Sequence, residues 1–164
     1  MRRVVILEGA DGSGKSYLAS WLHDAHGYAI VKTGPPAPTG NLTVAYIDAL
    51  RNSIARPGRT VFDRLHTGET IYGPILRGVD RIGIEGLAAI ERAITEHGVR
   101  LIVCSPPWET LVAGWRSKED LLKDETTLRA VYERYQEEAA RLGLVAYDWT
   151  AADAAERLKE MIEA

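Results

Sequence analysis

Residues 6–16 read Ile6-Leu7-Glu8-Gly9-Ala10-Asp11-Gly12-Ser13-Gly14-Lys15-Ser16, an apolar run followed at once by three glycines, a lysine and a serine. From Gly9 to Ser16 the spacing is G-x-x-x-x-G-K-[ST]. Each fixed position has a physical reason. Gly9, Gly12 and Gly14, with Asp11 and Ser13 between them, let successive backbone N–H groups curl into a concave nest around phosphate oxygens. Lys15 adds a point charge between the β- and γ-phosphates, and the Ser16 hydroxyl is a ligand type suited to Mg²⁺. A helix beginning near Lys15 turns its positive end toward the same anion. The rival dinucleotide fingerprint fails, because the glycines do not fall in G-x-G-x-x-G spacing and no acid ends the next strand.

The segment is therefore a P-loop, and the sequence around it supplies the context that a P-loop requires. Five short apolar runs are continuous rather than alternating: Val4–Leu7, Ala29–Val31, Thr60–Phe62, Leu101–Val103 and Leu144–Tyr147. Such runs suit strands buried on both faces of a parallel sheet. Helical stripes separate them: Leu18/Trp21/Leu22/Ala25, Val44/Ile47/Leu50/Ile54, Ile84/Leu87/Ile90/Ile94, Leu128/Val131/Tyr132/Tyr135/Ala139/Leu142 and Ala154/Leu158/Met161/Ile162. Gly27, Pro57-Gly58, Gly98 and Gly143 mark their ends. The pattern predicts an α/β P-loop NTPase fold, a five-stranded parallel sheet with helices on both faces, as one domain over residues 1–164.

Composition bounds the rest. With 46% apolar and 26% charged residues the chain has the balance of an ordinary globular domain. A net charge of -3 speaks against a broad nucleic-acid or membrane footprint. No apolar run approaches the length of a membrane span. The single Cys104 cannot form an internal disulfide, and the apolar run near the N-terminus is too short for a signal peptide, so a cytoplasmic setting is expected.

Three irregular segments follow strands and so face the carboxyl edge of the sheet, where open α/β sheets bind ligands. They are Thr33–Gly40, Leu65–Gly78, in which Gly73-Pro74 should break or offset a helix, and the highly charged Arg116–Glu125. The third strand ends in Phe62-Asp63-Arg64. An Asp there is placed to support a metal-bound water, and an Arg there is placed to hold a phosphate with two hydrogen bonds at once. Arg51, late in the second helix, and Arg77 are further candidate cations for an acceptor. Tyr72 is a candidate for stacking on an acceptor base, with packing as the plain alternative. His66 reads as a surface histidine, and Cys104 as a buried strand-end thiol.

Glu8–Ser16 resembles the opening of the thymidylate kinases, E-G-x-D-G-[AS]-G-K-[ST]. Phe62-Asp63-Arg64 resembles that family's D-R-Y/H after the third strand. Ser105-Pro106-Pro107-Trp108-Glu109 is similar to its fourth-strand ending, and Asp148-Trp149-Thr150-Ala151 to its last strand and the loop beside the adenine. Residues 63–78, DRLHTGETIYGPILRG, read like small phage-encoded members of this kinase group. The resemblance implies ATP as co-substrate and Mg²⁺ held by Ser16 and, through water, Asp63. It places Asp11 toward the acceptor's sugar hydroxyl and Arg64 on the acceptor's phosphate. It places Arg116, with Lys118 behind it, in a lid over residues 116–125 that closes on ATP, and Thr150 and Ala151 beside the adenine. It also implies nucleotide substrates and allows a homodimer. Leu65 stands where the family has an aromatic residue.

The leading expectation is thus transfer of the γ-phosphoryl of ATP to a deoxynucleoside monophosphate, with a dTMP-like acceptor favoured. The acceptor is already an anion, so the work is neutralisation and alignment rather than proton abstraction. Two alternatives stand beside it. One is a P-loop kinase acting on a hydroxyl, whether of a small metabolite, a modified nucleoside or DNA, for which Asp11, Asp63 or Glu8 would have to serve as base. The other is a nucleotide-binding regulator without transfer.

Overall fold

The computed structural model describes residues 3–33, 39–118 and 122–163. The centre of the expected Pro-rich segment, residues 34–38, and residues 119–121 of the expected lid lie outside the described residues. β1 (Val4–Glu8) leads through the P-loop into α1 (Lys15–His26), followed by β2 (Tyr28–Lys32), α2 (Leu42–Ala55) and β3 (Arg59–Asp63). After β3 come α3 (Thr67–Tyr72) and a π-helical turn, Gly73–Arg77. Gly73-Pro74 thus offsets the helix rather than ending it, since proline has no N–H to continue the regular ladder. α4 (Gly83–Glu96), β4 (Arg100–Val103), α5 (Trp108–Arg116), α6 (Glu125–Arg141) and α7 (Ala154–Glu163) complete the order.

Among the described residues the sheet has four parallel strands in the order β2-β3-β1-β4. The expected fifth strand does not form. The fifth run contributes one parallel bridge, Tyr147 opposite Cys104, with Tyr147 N–H on the Val103 carbonyl at 2.7 Å and Ser105 N–H on the Tyr147 carbonyl at 2.8 Å. The rest of the run has other work. Leu144 N–H closes the end of α6 on the Ala139 carbonyl at 2.9 Å, and Val145 is exposed at the sheet's edge.

Strand alternation assigns the two faces. Val5 and Leu7 pack with Leu18 and Leu22 of α1 and Leu158 and Ile162 of α7. Val4, Ile6 and Phe62 pack with Leu42, Tyr46 and Leu50 of α2 and Ile90 and Ile94 of α4. A third cluster joins α5 and α6 to the P-loop and α3: Leu111, Leu128, Val131 and Tyr135 meet Ala10, Ile71 and Tyr72. Val44 and Ile84 belong to the stripes read from the sequence, yet both are exposed. Each lies in the first turn of its helix, on the side turned away from the cluster that Leu42 and Ile82 join. Among the described residues no helix is long and apolar enough to cross a membrane.

Candidate active site

The strand order puts the ends of β1 and β3 side by side, with Leu7 opposite Asp63 and Glu8 opposite Val103. The P-loop and the Asp63-Arg64 turn therefore leave the sheet next to one another. Gly9, Gly12 and Gly14 all adopt positive φ (144°, 81° and 86°), which a side chain would resist. Space is as short as torsion. A methyl on Gly12 would meet Trp115 N at 2.6 Å, and one on Gly114 would meet the Gly12 carbonyl at 2.7 Å. The P-loop thus lies backbone to backbone against α5, the helix whose last residue is Arg116.

Lys15 is buried and its ammonium is fully engaged, donating to the Gly9 carbonyl at 2.8 Å, the Ala10 carbonyl at 2.7 Å and Ser13 Oγ at 3.0 Å. Burial, with Arg64 nearby, lowers its pKa to about 8. Ser16 Oγ donates to Asp63 Oδ2 at 2.7 Å. This hydroxyl–carboxylate pair at the mouth of a phosphate nest offers hard oxygen ligands of the kind Mg²⁺ takes together with substrate phosphates. Among the described residues no group of three His, Cys, Asp or Glu side chains stands ready to hold a metal by itself, and the pair fits an ion that arrives with its nucleotide.

Arg64 pairs through one Nη with Oδ1 of the buried Asp11. Its guanidinium carbon lies 5.9 Å from the centroid of the Tyr72 ring. Tyr72 is buried, its ring edge-on to Tyr135, and its hydroxyl accepts the Asp11 N–H at 3.1 Å. Two buried polar atoms of this group have no hydrogen-bond partner among the described residues: Asp11 Oδ2 and Arg64 Nε. An unpaired carboxylate oxygen and an unpaired guanidinium N–H are thus shielded within one ion pair beside the P-loop. Buried polar atoms are rarely left so without a ligand or water to meet them.

The remaining sequence candidates divide. Arg77 is held by Glu69, its Nη2 within 2.6 Å of both carboxylate oxygens. Arg51 is exposed on α2. Arg116 reaches Glu125 at 2.7 Å, an exposed pair that ties the two ends of the expected lid. Thr150 folds back on its own turn, donating from N and Oγ1 to Asp148 Oδ1 at 2.8 and 2.7 Å, and Ala151 packs against the α1 core.

Trp149 is a participant that is not among the candidates read in the sequence, and Glu8 and His66 differ from their expected roles. Trp149 donates from Nε1 to the Ser13 carbonyl at 3.0 Å, and its ring covers Gly14 so closely that a methyl there would meet Nε1 at 2.5 Å. The loop after the fifth run is thereby strapped to the P-loop. Its signal was an aromatic residue within the stretch already singled out. Glu8, a candidate base by its sequence position, is fully buried and saturated. Its Oε1 accepts the Leu65 and Thr67 N–H groups at 2.8 and 3.1 Å, and its Oε2 accepts the Tyr135 hydroxyl at 3.2 Å. Burial raises the Glu8 pKa, against the pull of these bonds and of Arg64 and Lys15. His66, expected at the surface, is buried, and burial lowers its pKa to about 4. Cys104 is buried as expected, and burial raises its thiol to about 12.

No protein-family model matches the chain, and no curated protein resembles it in sequence. Solved structures do resemble it in shape. The YorR protein of Bacillus subtilis, solved in complex with phosphorylated GDP, superposes with a TM-score of 0.75 at 20% identity, over 98% of this chain and 95% of that one. Deoxyadenosine kinase from M. mycoides with bound dATP gives a TM-score of 0.64 at 14% identity, over 98% of this chain and 100% of the other. The chain has the fold of the P-loop kinases. Shikimate kinase from Acinetobacter baumannii falls in with them, with a TM-score of 0.57 at 15% identity over 99% of this chain and 92% of its own. In this P-loop kinase fold, Asp63, Arg64, Asp11 and Tyr72 occupy the carboxyl edge beside the phosphate nest.

Proposed function

We propose that the protein is a kinase that transfers the γ-phosphoryl of ATP to a deoxynucleoside monophosphate, a dTMP-like acceptor being favoured. The observation that carries this reading is Arg64. It stands beside the P-loop with one Nη on Asp11 and its side chain still 36% exposed. A phosphate monoester is the complement of such a half-engaged fork. ATP would bind through the P-loop amides and Lys15, whose ammonium leaves its three P-loop acceptors for the phosphates. Ser16 and Asp63 would hold Mg²⁺, which supplies charge neutralisation when bound. Asp11 orients Arg64 from one side and Tyr72 supports both from below. Arg116 and Lys118 bring further cations to the site when the lid closes, and closure excludes water from a hydrolysable γ-phosphate. Two proteins of this fold were solved with nucleotides bound, YorR with phosphorylated GDP and deoxyadenosine kinase with dATP.

A second reading rests on Asp11 Oδ2. This buried carboxylate oxygen has no partner among the described residues, whereas both Glu8 oxygens are engaged and Asp63 Oδ2 accepts the Ser16 hydroxyl, which makes Asp11 the favoured acid to take a proton from an acceptor hydroxyl. Shikimate kinase and a gluconokinase share the fold and carry the names of hydroxylated acceptors.

The deciding experiment measures ADP formation from Mg·ATP with each deoxynucleoside and ribonucleoside monophosphate in turn, with a no-acceptor control. Native protein is compared with Arg64→Ala. Stimulation by one monophosphate, reduced about 10²–10³-fold in kcat/KM by the substitution, supports the first reading. A flat panel rejects it and turns the search to hydroxyl acceptors.

A further inference from the structure

Arg64 is the one non-glycine residue with positive φ among the described residues, at 70°. For a long side chain this left-handed backbone is costly and persists only where the surroundings over-determine it. The surroundings here are the ends of the two strands flanking β3. From β1, the Leu7 carbonyl accepts the Arg64 N–H at 2.9 Å. The next residue along, Glu8, accepts the Leu65 N–H at 2.8 Å and the Thr67 N–H at 3.1 Å on one carboxylate oxygen. From the β2 side, Thr33, the first residue after the strand, donates its hydroxyl to the Arg64 carbonyl at 2.9 Å. The peptide on each side of Arg64 is therefore fixed, and its carbonyl and the following amide are fixed by side chains.

We propose that Thr33 and Glu8 are positioning residues for Arg64: from opposite sides of β3 they hold its backbone in the left-handed turn that brings the guanidinium to Asp11 at the mouth of the P-loop. The inference rests on the reading of Arg64 as the acceptor-phosphate ligand and deepens it. Rotation of φ to a negative value would swing the Arg64 carbonyl away from Thr33 and the Leu65 amide away from Glu8. It would break both bonds together and carry the side chain off Asp11. Glu8 also accepts the Tyr135 hydroxyl from α6, so its oxygens are committed to holding the turn and α3 rather than to proton transfer. Thr33 has a simpler part. It is half-buried, and its hydroxyl has one described partner, the carbonyl of Arg64 itself.

The test uses Thr33→Val, which removes the hydroxyl while keeping the shape, and Thr33→Ser, which keeps the hydroxyl. Kinetically, Thr33→Val should lower kcat/KM for the acceptor about tenfold, the scale of one lost hydrogen bond. It should leave KM for ATP within about twofold, and Thr33→Ser should restore the acceptor value. On an Arg64→Ala background Thr33→Val should have no further effect, because the residue it acts through is gone. An equal loss on both backgrounds overturns the proposal. A second arm needs no turnover. In a crystal structure of Thr33→Val without substrates, Arg64 should leave the positive-φ region and release Asp11. A left-handed Arg64 still seated on Asp11 overturns the proposal even if every acceptor fails with native protein, a failure that would count against the kinase reading alone.

Discussion

Replacing Gly114 by alanine sets two known effects against each other. In an isolated helix the change stabilises by about 1 kcal/mol, because glycine is the poorer helix former. In this chain the new methyl would lie 2.7 Å from the Gly12 carbonyl oxygen. The carbonyl is backbone and the methyl has no rotamer, so neither yields locally, and α5 must move off the P-loop by about 0.7 Å to reach ordinary contact. Over-packing of this kind costs about 1–3 kcal/mol, so the propensity gain is offset and exceeded. The net expectation is a loss of about 1 kcal/mol, or a fall in Tm of about 2–4 °C for a chain of this size. The functional effect is larger than the thermodynamic one. Displacing the phosphate nest by a fraction of an ångström should lower kcat/KM for ATP by about tenfold, given that a misplacement near 1 Å costs about 10²-fold. Thermal unfolding followed by circular dichroism and coupled ADP detection measure the two. A Gly114→Ala protein that melts higher than native and keeps its ATP kinetics would refute the backbone-to-backbone contact and the reasoning from it.

Two pH dependences follow from burial. Lys15 in the free protein holds its proton below about pH 8 and loses it above. The charged form binds phosphate, so kcat/KM for ATP should fall about tenfold per pH unit above that point; in Lys15→Arg this alkaline limb should be missing from whatever activity remains. His66 titrates near 4 when folded and near 6.5 when unfolded, so it is a base with a depressed folded pKa. Its unfolded form binds the extra proton between those values, and stability is therefore lost as pH falls from 6.5 toward 4. Between pH 7 and pH 5 the loss is about 2 kcal/mol, read from urea unfolding as a slope that His66→Gln should lack.

The parts of this molecule that local chemistry determines were legible in the sequence. β1 to β4 lie where continuous apolar runs stand, Gly27 and Gly143 end their helices in left-handed turns, and the P-loop follows β1 as its spacing requires. The fifth run misled because apolarity measures burial and not pairing. Leu144 belongs to the closing turn of α6, and only Tyr147 reaches a neighbour. Within the site, Lys15, Ser16, Asp63 and Arg64 were readable because each sits beside a motif. The role of Glu8 was not, since its partners lie 57, 59 and 127 residues away along the chain. His66 misled for the same reason, because its burial depends on how α3 docks on α6. Thr33 looked like the start of a loop, and only the strand order places it beside Arg64.

Cys104 is the chain's one thiol, closed off beneath the P-loop with its proton held to about pH 12. Reagents that need an exposed thiolate will pass it by. The wild-type chain therefore already behaves as a cysteine-free background. A thiol introduced at exposed Lys118 can carry a fluorophore or a spin label without any prior engineering, and a second at Tyr17, exposed on the first turn of α1, gives the other end of a ruler. The distance between the two dyes, followed as ATP and acceptor are added in either order, would record in real time whether the charged segment moves and which ligand moves it.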